Sequence, residues 1–157
     1  MRARTSIWVF VLHLVAACHA GDTAAQPARS PDYTAAGGEP LKGTYWKLVR
    51  LGDVPVVMAP NQKEPHLVLD PESDRVRGSG GCNLLVGTYQ LDGDKLTFGT
   101  AATTMMACVQ GMETESAFLK ALEQVRKYKI EGNRLDLLSA DGAAGHVVAR
   151  FEAGRLQ

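Results

Sequence analysis

The sequence predicts an α+β domain, mainly an antiparallel β-sheet or open barrel covered by one α-helix. Three observations carry this prediction. Short segments rich in branched and aromatic residues recur between turn dipeptides such as Asp92-Gly93 and Asp141-Gly142. Only one segment, beginning near Met112, has helical period. Strands joined by short turns, with a single helix available to cover their apolar face, suit an antiparallel arrangement.

Taken in order, Leu41 to Leu51 has the aromatic and branched residues of a half-buried strand. Gly52-Asp53 reads as a turn and Pro55 to Pro65 as a loop, and His66 to Leu69 is a second strand ended by Asp70-Pro71. Arg75 to Gly78 is a third. Tyr89 to Leu91 and Leu96 to Phe98 alternate around Asp92-Gly93, a dipeptide that accepts positive φ at low cost and so marks a hairpin. Phe118, Ala121, Leu122 and Val125 fall at i, i+3, i+4 and i+7, behind Glu113 and Glu115, which predicts a helix from Met112 to Arg126. Both carboxylates suit the positive end of its dipole. Tyr128 to Ile130, Arg134 to Leu138 and His146 to Phe151 form a three-strand meander separated by Glu131-Gly132-Asn133 and Asp141-Gly142.

With 157 residues, 45% hydrophobic and 22% charged, the chain accommodates one globular domain and an appendage. The appendage is N-terminal. Arg2 and Arg4, the apolar run Ile7 to Ala17 and the small residues before Cys18 have the layout of a bacterial export signal. Eleven residues, one of them His13, are too few for a span that needs about 20. The predicted organisation is a signal peptide over 1–17, a flexible tether over 18–40 and a domain over 41–154. From His19 to Pro40 only Tyr33 is large and apolar, so this stretch buries too little to order itself, and its coil would reach about 25 Å.

Removing residues 1–17 takes two of the 17 basic residues and none of the 17 acidic ones, leaving a net charge of −2 with histidines neutral. Nucleic acid binding is not expected, because the densest basic run, Arg126-Lys127-Tyr128-Lys129, is balanced by Glu123 and Glu131.

Gly78 to Cys108 reads GSGGCNLLVGTYQLDGDKLTFGTAATTMMAC. Its Gly-Cys-Asn turn, Gly-x-Tyr strand, hairpin and Thr-x-Met-x-Cys ending resemble the META-domain proteins, also called HslJ-like heat-inducible lipoproteins. The resemblance covers Leu41 to Phe151 and departs at Leu84, where many relatives carry a polar or basic residue. It implies the META-domain fold, a connection with envelope stress, and lipidation of Cys18, whose preceding small residues match a lipobox. The rival is ordinary cleavage after Ala20. With His19 rather than aspartate after the cysteine, similarity to Gram-negative lipoproteins implies an outer-membrane anchor facing the periplasm.

Once Cys18 is lipidated, Cys82 and Cys108 are the two remaining thiols, and an oxidising compartment favours a disulfide between them. Two buried free thiols are the alternative. Met105, Met106, Cys108 and Met112 raise a Cu(I)-handling reading, since soft sulfur ligands select that ion, but core packing is the expected role of these methionines. Neither Cys82, Cys108 nor Ser79 has a spacing to His66 or His146 that recommends nucleophilic catalysis. Gly78-Ser79-Gly80-Gly81 lacks the lysine of a phosphate loop.

Asn83 is expected to bond nearby backbone and fix the bend that carries Cys82 toward Cys108, with ligand contact at Asn83 and Thr104 as the sharper possibility. The expectation is therefore a non-enzymatic envelope lipoprotein without cofactor or metal. It would contact the membrane through its N-terminus and an envelope protein through its domain. An inhibitor of a secreted hydrolase or lysozyme, using the Pro55 to Pro65 loop, is the alternative.

Overall fold

The computed structural model describes residues 38–140 and 145–154, so the signal peptide, Cys18, most of the tether and the Asp141-Gly142 turn lie outside the described residues. Within them are ten strands and one helix. The strands are β1 (Tyr45–Leu51), β2 (Val54–Pro55), β3 (His66–Leu69), β4 (Arg75–Ser79), β5 (Leu84–Asp92), β6 (Lys95–Phe98), β7 (Ala102–Thr103), β8 (Lys127–Glu131), β9 (Arg134–Leu138) and β10 (Val147–Gly154), and helix α1 spans Met112–Gln124.

Every strand pairing is antiparallel, and eight strands form a ring in the order β1, β3, β4, β5, β6, β8, β9, β10. The ring closes because β10 also pairs with β1, from Tyr45 opposite Gly154 to Leu51 opposite Ala149. Its thinnest seam joins β6 to β8, where only Lys95 opposes Lys127. Two like charges directly opposed are unfavourable in a sheet; here Asp94 lies 3.3 Å from the Lys127 ammonium and offsets the repulsion. The barrel is thus closed, but nearly open along one edge, and the helix packs against β6, β10 and β1.

The helix buries Phe118, Ala121 and Leu122, as its period predicts, and Phe118 meets Phe151 of β10 at 5.9 Å between ring centroids. Full burial of a large apolar side chain contributes about 1.5–3 kcal/mol. A charge at the first turn contributes only about 0.3–1 kcal/mol, so packing rather than the dipole holds α1 in place. Inside the barrel Trp46 is fully buried and donates its indole N–H to the Leu41 carbonyl at 2.9 Å. Tyr89 is buried too, and its hydroxyl reaches the carbonyl oxygens of Asp70 and Ser73 at 2.9 and 3.1 Å. The described chain is bonded to the barrel from Glu39 on, whose N–H donates to the Gly132 carbonyl.

The hairpin at Asp92-Gly93 forms as predicted, but β5 begins five residues earlier than Tyr89, at Leu84. The antiparallel registers place the end of β1, the start of β3, the end of β4, the starts of β5 and β10 and the end of β9 on one rim of the barrel.

On that side of the barrel Gly78 crosses β3 so closely that a Cβ would lie 2.0 Å from the His66 carbonyl oxygen. Gly78→Ala must therefore push two paired strands apart, and is expected to lower the unfolding free energy in urea by about 1–3 kcal/mol. Tyr45 supplies a second test. Its phenol is pushed from 10.0 up to about 12, first by burial and then by its bond to Glu64 and that group's charge. A raised folded-state value means a contribution fully present below pH 10 and lost as pH rises from 10 to 12. The urea midpoint should fall across that window, and the fall should be shallower in Tyr45→Phe.

Candidate functional site

The Gly-Cys-Asn turn, the segment after β7 and the start of α1 converge at the rim. Cys82 and Cys108 are joined in a disulfide, with Cα atoms 5.9 Å apart. In the chain-entropy picture a loop of this size contributes about 3 kcal/mol. The bridge ties the β4–β5 turn to the chain leading into α1.

Beside it, Asn83 is almost fully buried and organises three segments at once. Its backbone N–H donates to Glu115 Oε2 at 2.6 Å and its side-chain Nδ2 to Glu115 Oε1 at 2.8 Å. Its Oδ1 accepts from the Met106 N–H at 2.7 Å and from the Thr104 hydroxyl at 2.9 Å. Thr104 Oγ1 in turn accepts the Leu84 N–H at 3.1 Å, and the Thr104 N–H donates to the Leu84 carbonyl. The Asn83 side chain thus reaches residues more than twenty positions away rather than nearby backbone as its sequence context suggested, while its main-chain carbonyl accepts the Gly80 N–H at 3.0 Å. The polar atoms of Asn83 and Thr104 are engaged with one another and with the chain.

Glu115 departs from expectation in the same way. Glu113 is exposed in the first turn of α1, but Glu115 is buried and serves as the acceptor for Asn83. Burying a carboxylate is costly unless it is fully bonded, and the two charge-assisted donors from Asn83 supply that compensation. Gly80 makes room, because a Cβ there would lie 2.5 Å from Glu115 Cγ. Gly81 turns the chain at φ 111° and brings its own N–H to the Ser79 hydroxyl at 3.2 Å.

Gln62, which no sequence motif marks, lies against Gly81 and Gly111. Its Oε1 accepts from the Ala59 N–H, while its buried Nε2 has no partner among the described residues. It folds the Pro55 to Pro65 loop back on itself at Ala59 and packs the loop against the two rim glycines.

The methionines do not fill the core. Met105 is fully exposed and Met106 and Met112 are substantially so; Leu84, Val86 and Val109 are exposed with them. The inside of this region is taken by buried Asn83 and Glu115, and the chain from Thr104 to Met106 lies outside them. The Cu(I) reading loses its thiolate, since the Cys108 sulfur is bonded to Cys82. His66 and Ser79 oppose one another across β3 and β4, but the Ser79 hydroxyl is buried and accepts from Gly81. The His66 ring stacks on Tyr45 at 4.4 Å, with Nδ1 2.9 Å from the Glu64 carbonyl. His146 lies at the start of β10, outside this cluster.

Glu115→Gln isolates the buried acceptor. Glutamine would turn an amide N–H₂ against one of the two Asn83 donors, so unfolding in urea should become easier by about 1–3 kcal/mol. The Cys82–Cys108 bridge should remain intact by thiol titration. A change under about 0.5 kcal/mol, the usual size for an unremarkable surface substitution, would remove Glu115 from this role.

Two solved structures share this architecture. An NMR structure of a protein from Burkholderia xenovorans aligns over 83% of this chain and 100% of its own, with 24% identity and a TM-score of 0.59. A second NMR structure aligns over 72% of this chain and 91% of its own, at 21% identity and a TM-score of 0.55. At these identities the likeness concerns the fold alone. No curated protein sequence matches the chain. The META domain family model matches residues 39–155, from the first residue bonded to the barrel through the end of β10, and the chain belongs to the META-domain family.

Proposed function

We propose that this META domain is a non-enzymatic binding module of the bacterial cell envelope. In this reading it is held to the periplasmic face of the outer membrane by a lipidated Cys18 and engages an apolar segment of another envelope protein. The observation that carries it is the set of apolar side chains presented on a braced frame. Leu84 and Val86 point outward from β5 beside Met105, Met106, Val109 and Met112 on the disulfide-tied segment. Exposed apolar groups gathered in one region mark interaction surfaces more often than isolated ones do, and methionine adapts to partners of varied shape. The disulfide suits an oxidising compartment such as the periplasm. The polar residues of the Asn83 cluster are committed to holding the frame, which favours binding over catalysis at this surface.

A second reading, inhibition of a secreted hydrolase or lysozyme, draws on the Pro55 to Pro65 loop. Val57 at its tip is 82% exposed, while Gln62 folds the loop back at Ala59 and the Lys47–Glu64 ion pair of 2.6 Å holds its base.

Photo-crosslinking in intact cells tests both. A photoreactive residue replacing Met105 or Val109 should capture one envelope protein repeatedly, whereas one replacing exposed Glu123 should not. The adduct should disappear when Cys18→Ser releases the protein from the membrane fraction. Capture of a hydrolase from Val57 alone would favour the inhibitor. Equal capture from all positions, or none, would overturn the binding-module reading.

A further inference from the structure

On the same rim, but away from the Asn83 cluster, a cavity of ≈ 400 Å³ opens between the end of β1 and the start of β10, lined by Arg50, Asp53, His146, Val147 and Arg150 among others. That volume lies within the range of small-molecule sites, about 300–1,000 Å³. Arg50 and Arg150 occupy directly opposed positions of the β1–β10 ladder. Like charges so placed repel, and an ordinary sheet gains nothing from them.

Two irregularities in the strands create the arrangement. The β1–β10 register shifts between Leu48 and Arg50, and the β10–β9 register shifts between Val147 and Ala149. A bulge inserts one residue and re-aims the side chains beyond it, and bulges gather at barrel rims and beside binding sites. Without the first shift, Arg50 would not face Arg150.

The two guanidiniums are also held. Arg150 makes a bidentate pair with Asp136, Nε to Oδ1 at 2.6 Å and Nη2 to Oδ2 at 3.0 Å. Asp136 is itself buried, so the plane of Arg150 is fixed. Arg50 donates from Nη2 to the Asp53 carbonyl at 2.7 Å, which orients it without neutralising it. Among the described residues no carboxylate lies within ion-pair distance of Arg50. His146 adds a nitrogen-bearing ring at the mouth, and Asp53, whose side chain is exposed, is the one acid on the wall.

We propose that this cavity binds the oxyanion group, carboxylate or phosphate, of a small molecule, with Arg50 as its principal partner and Arg150 and His146 as supporting donors. Guanidinium presents a planar fork of donors that matches either oxyanion in bidentate fashion. Because both arginines are positioned before the ligand arrives, binding costs little reorganisation. This site is separate from the apolar surface on Met105 and Val109, and either can fail without the other.

The test is an NMR titration of the isotope-labelled full-length chain in maltoside micelles with inorganic phosphate and, separately, acetate, at ionic strength held constant with chloride. Saturable shifts are expected at the Gly52 amide and at the Arg50 and Arg150 Nε–H signals, from one or both anions, the responding anion assigning the class. Losing a charge-assisted bond worth about 1.5–3 kcal/mol should weaken binding ~10-fold or more in Arg50→Gln. If that variant does not fold, Arg50→Lys keeps the charge without the fork, and weaker binding is again expected. Shifts that stay linear, that chloride reproduces, or that persist unchanged in whichever of these variants folds would overturn the proposal.

Discussion

The pairing of β1 with β10 is the constraint on which the rest of this molecule depends. It joins the first strand of the domain to the last, and thereby turns a meander with two exposed edges into a ring. An unpaired edge invites association with other chains, and closure removes the two longest ones here. It also makes folding slow to commit, because strands about a hundred positions apart must meet before the barrel exists. The thin β6–β8 seam is the complement of this strong joint. The helix adds to the closed ring a further apolar layer, burying Phe118 and Leu122, with Phe118 against Phe151 of β10.

Closure also concentrates polar chemistry at the rim, where the strands end and their backbone groups need partners. Two solutions are used. At the β4–β5 turn, Asn83 gathers Thr104, Met106 and Glu115, so a single amide replaces the ladder bonds that the turn and the irregular chain before α1 cannot make. The disulfide then limits how far those segments separate. At the β1–β10 end, bulges replace regular pairing, and the bonds that remain leave two guanidiniums facing one cavity. The first solution consumes its polar groups and the second leaves donors directed outward. On the proposed reading, that difference separates a structural knot from a binding site.

Much of the fold was legible in the sequence because local physics dictates it. Asp92-Gly93 makes a hairpin on its own terms, and Phe118 to Val125 has a helical stripe whatever it packs on. The first half of β5 was not legible, because Leu84 and Val86 face outward while Leu85 faces inward, so apolar residues on both faces erase the alternation that identifies a strand. Glu115 looked like a dipole charge because its partner is 32 residues away. The arginine pair was hidden more deeply, since opposition of Arg50 and Arg150 requires both the ring closure and a bulge. Neither leaves a mark in a short window of sequence. The pairing of Cys82 with Cys108 was reachable only by supposing export, since cysteine content alone allowed two buried thiols.

The exposure of the methionines follows from the same economy of space at the rim. Asn83, Glu115 and the disulfide take the inside of this region, and the thioether side chains lie at the surface. Exposed apolar side chains are a solubility liability unless something covers them. The frame beneath them is cross-linked and hydrogen-bonded, so a partner that covers them need not order the backbone as well, and only side-chain freedom is lost. Flexible methionines on a rigid support combine adaptability with a low cost of binding. On the proposed reading the Asn83 knot therefore acts at one remove. It holds Met105 and Val109 where an apolar segment can reach them.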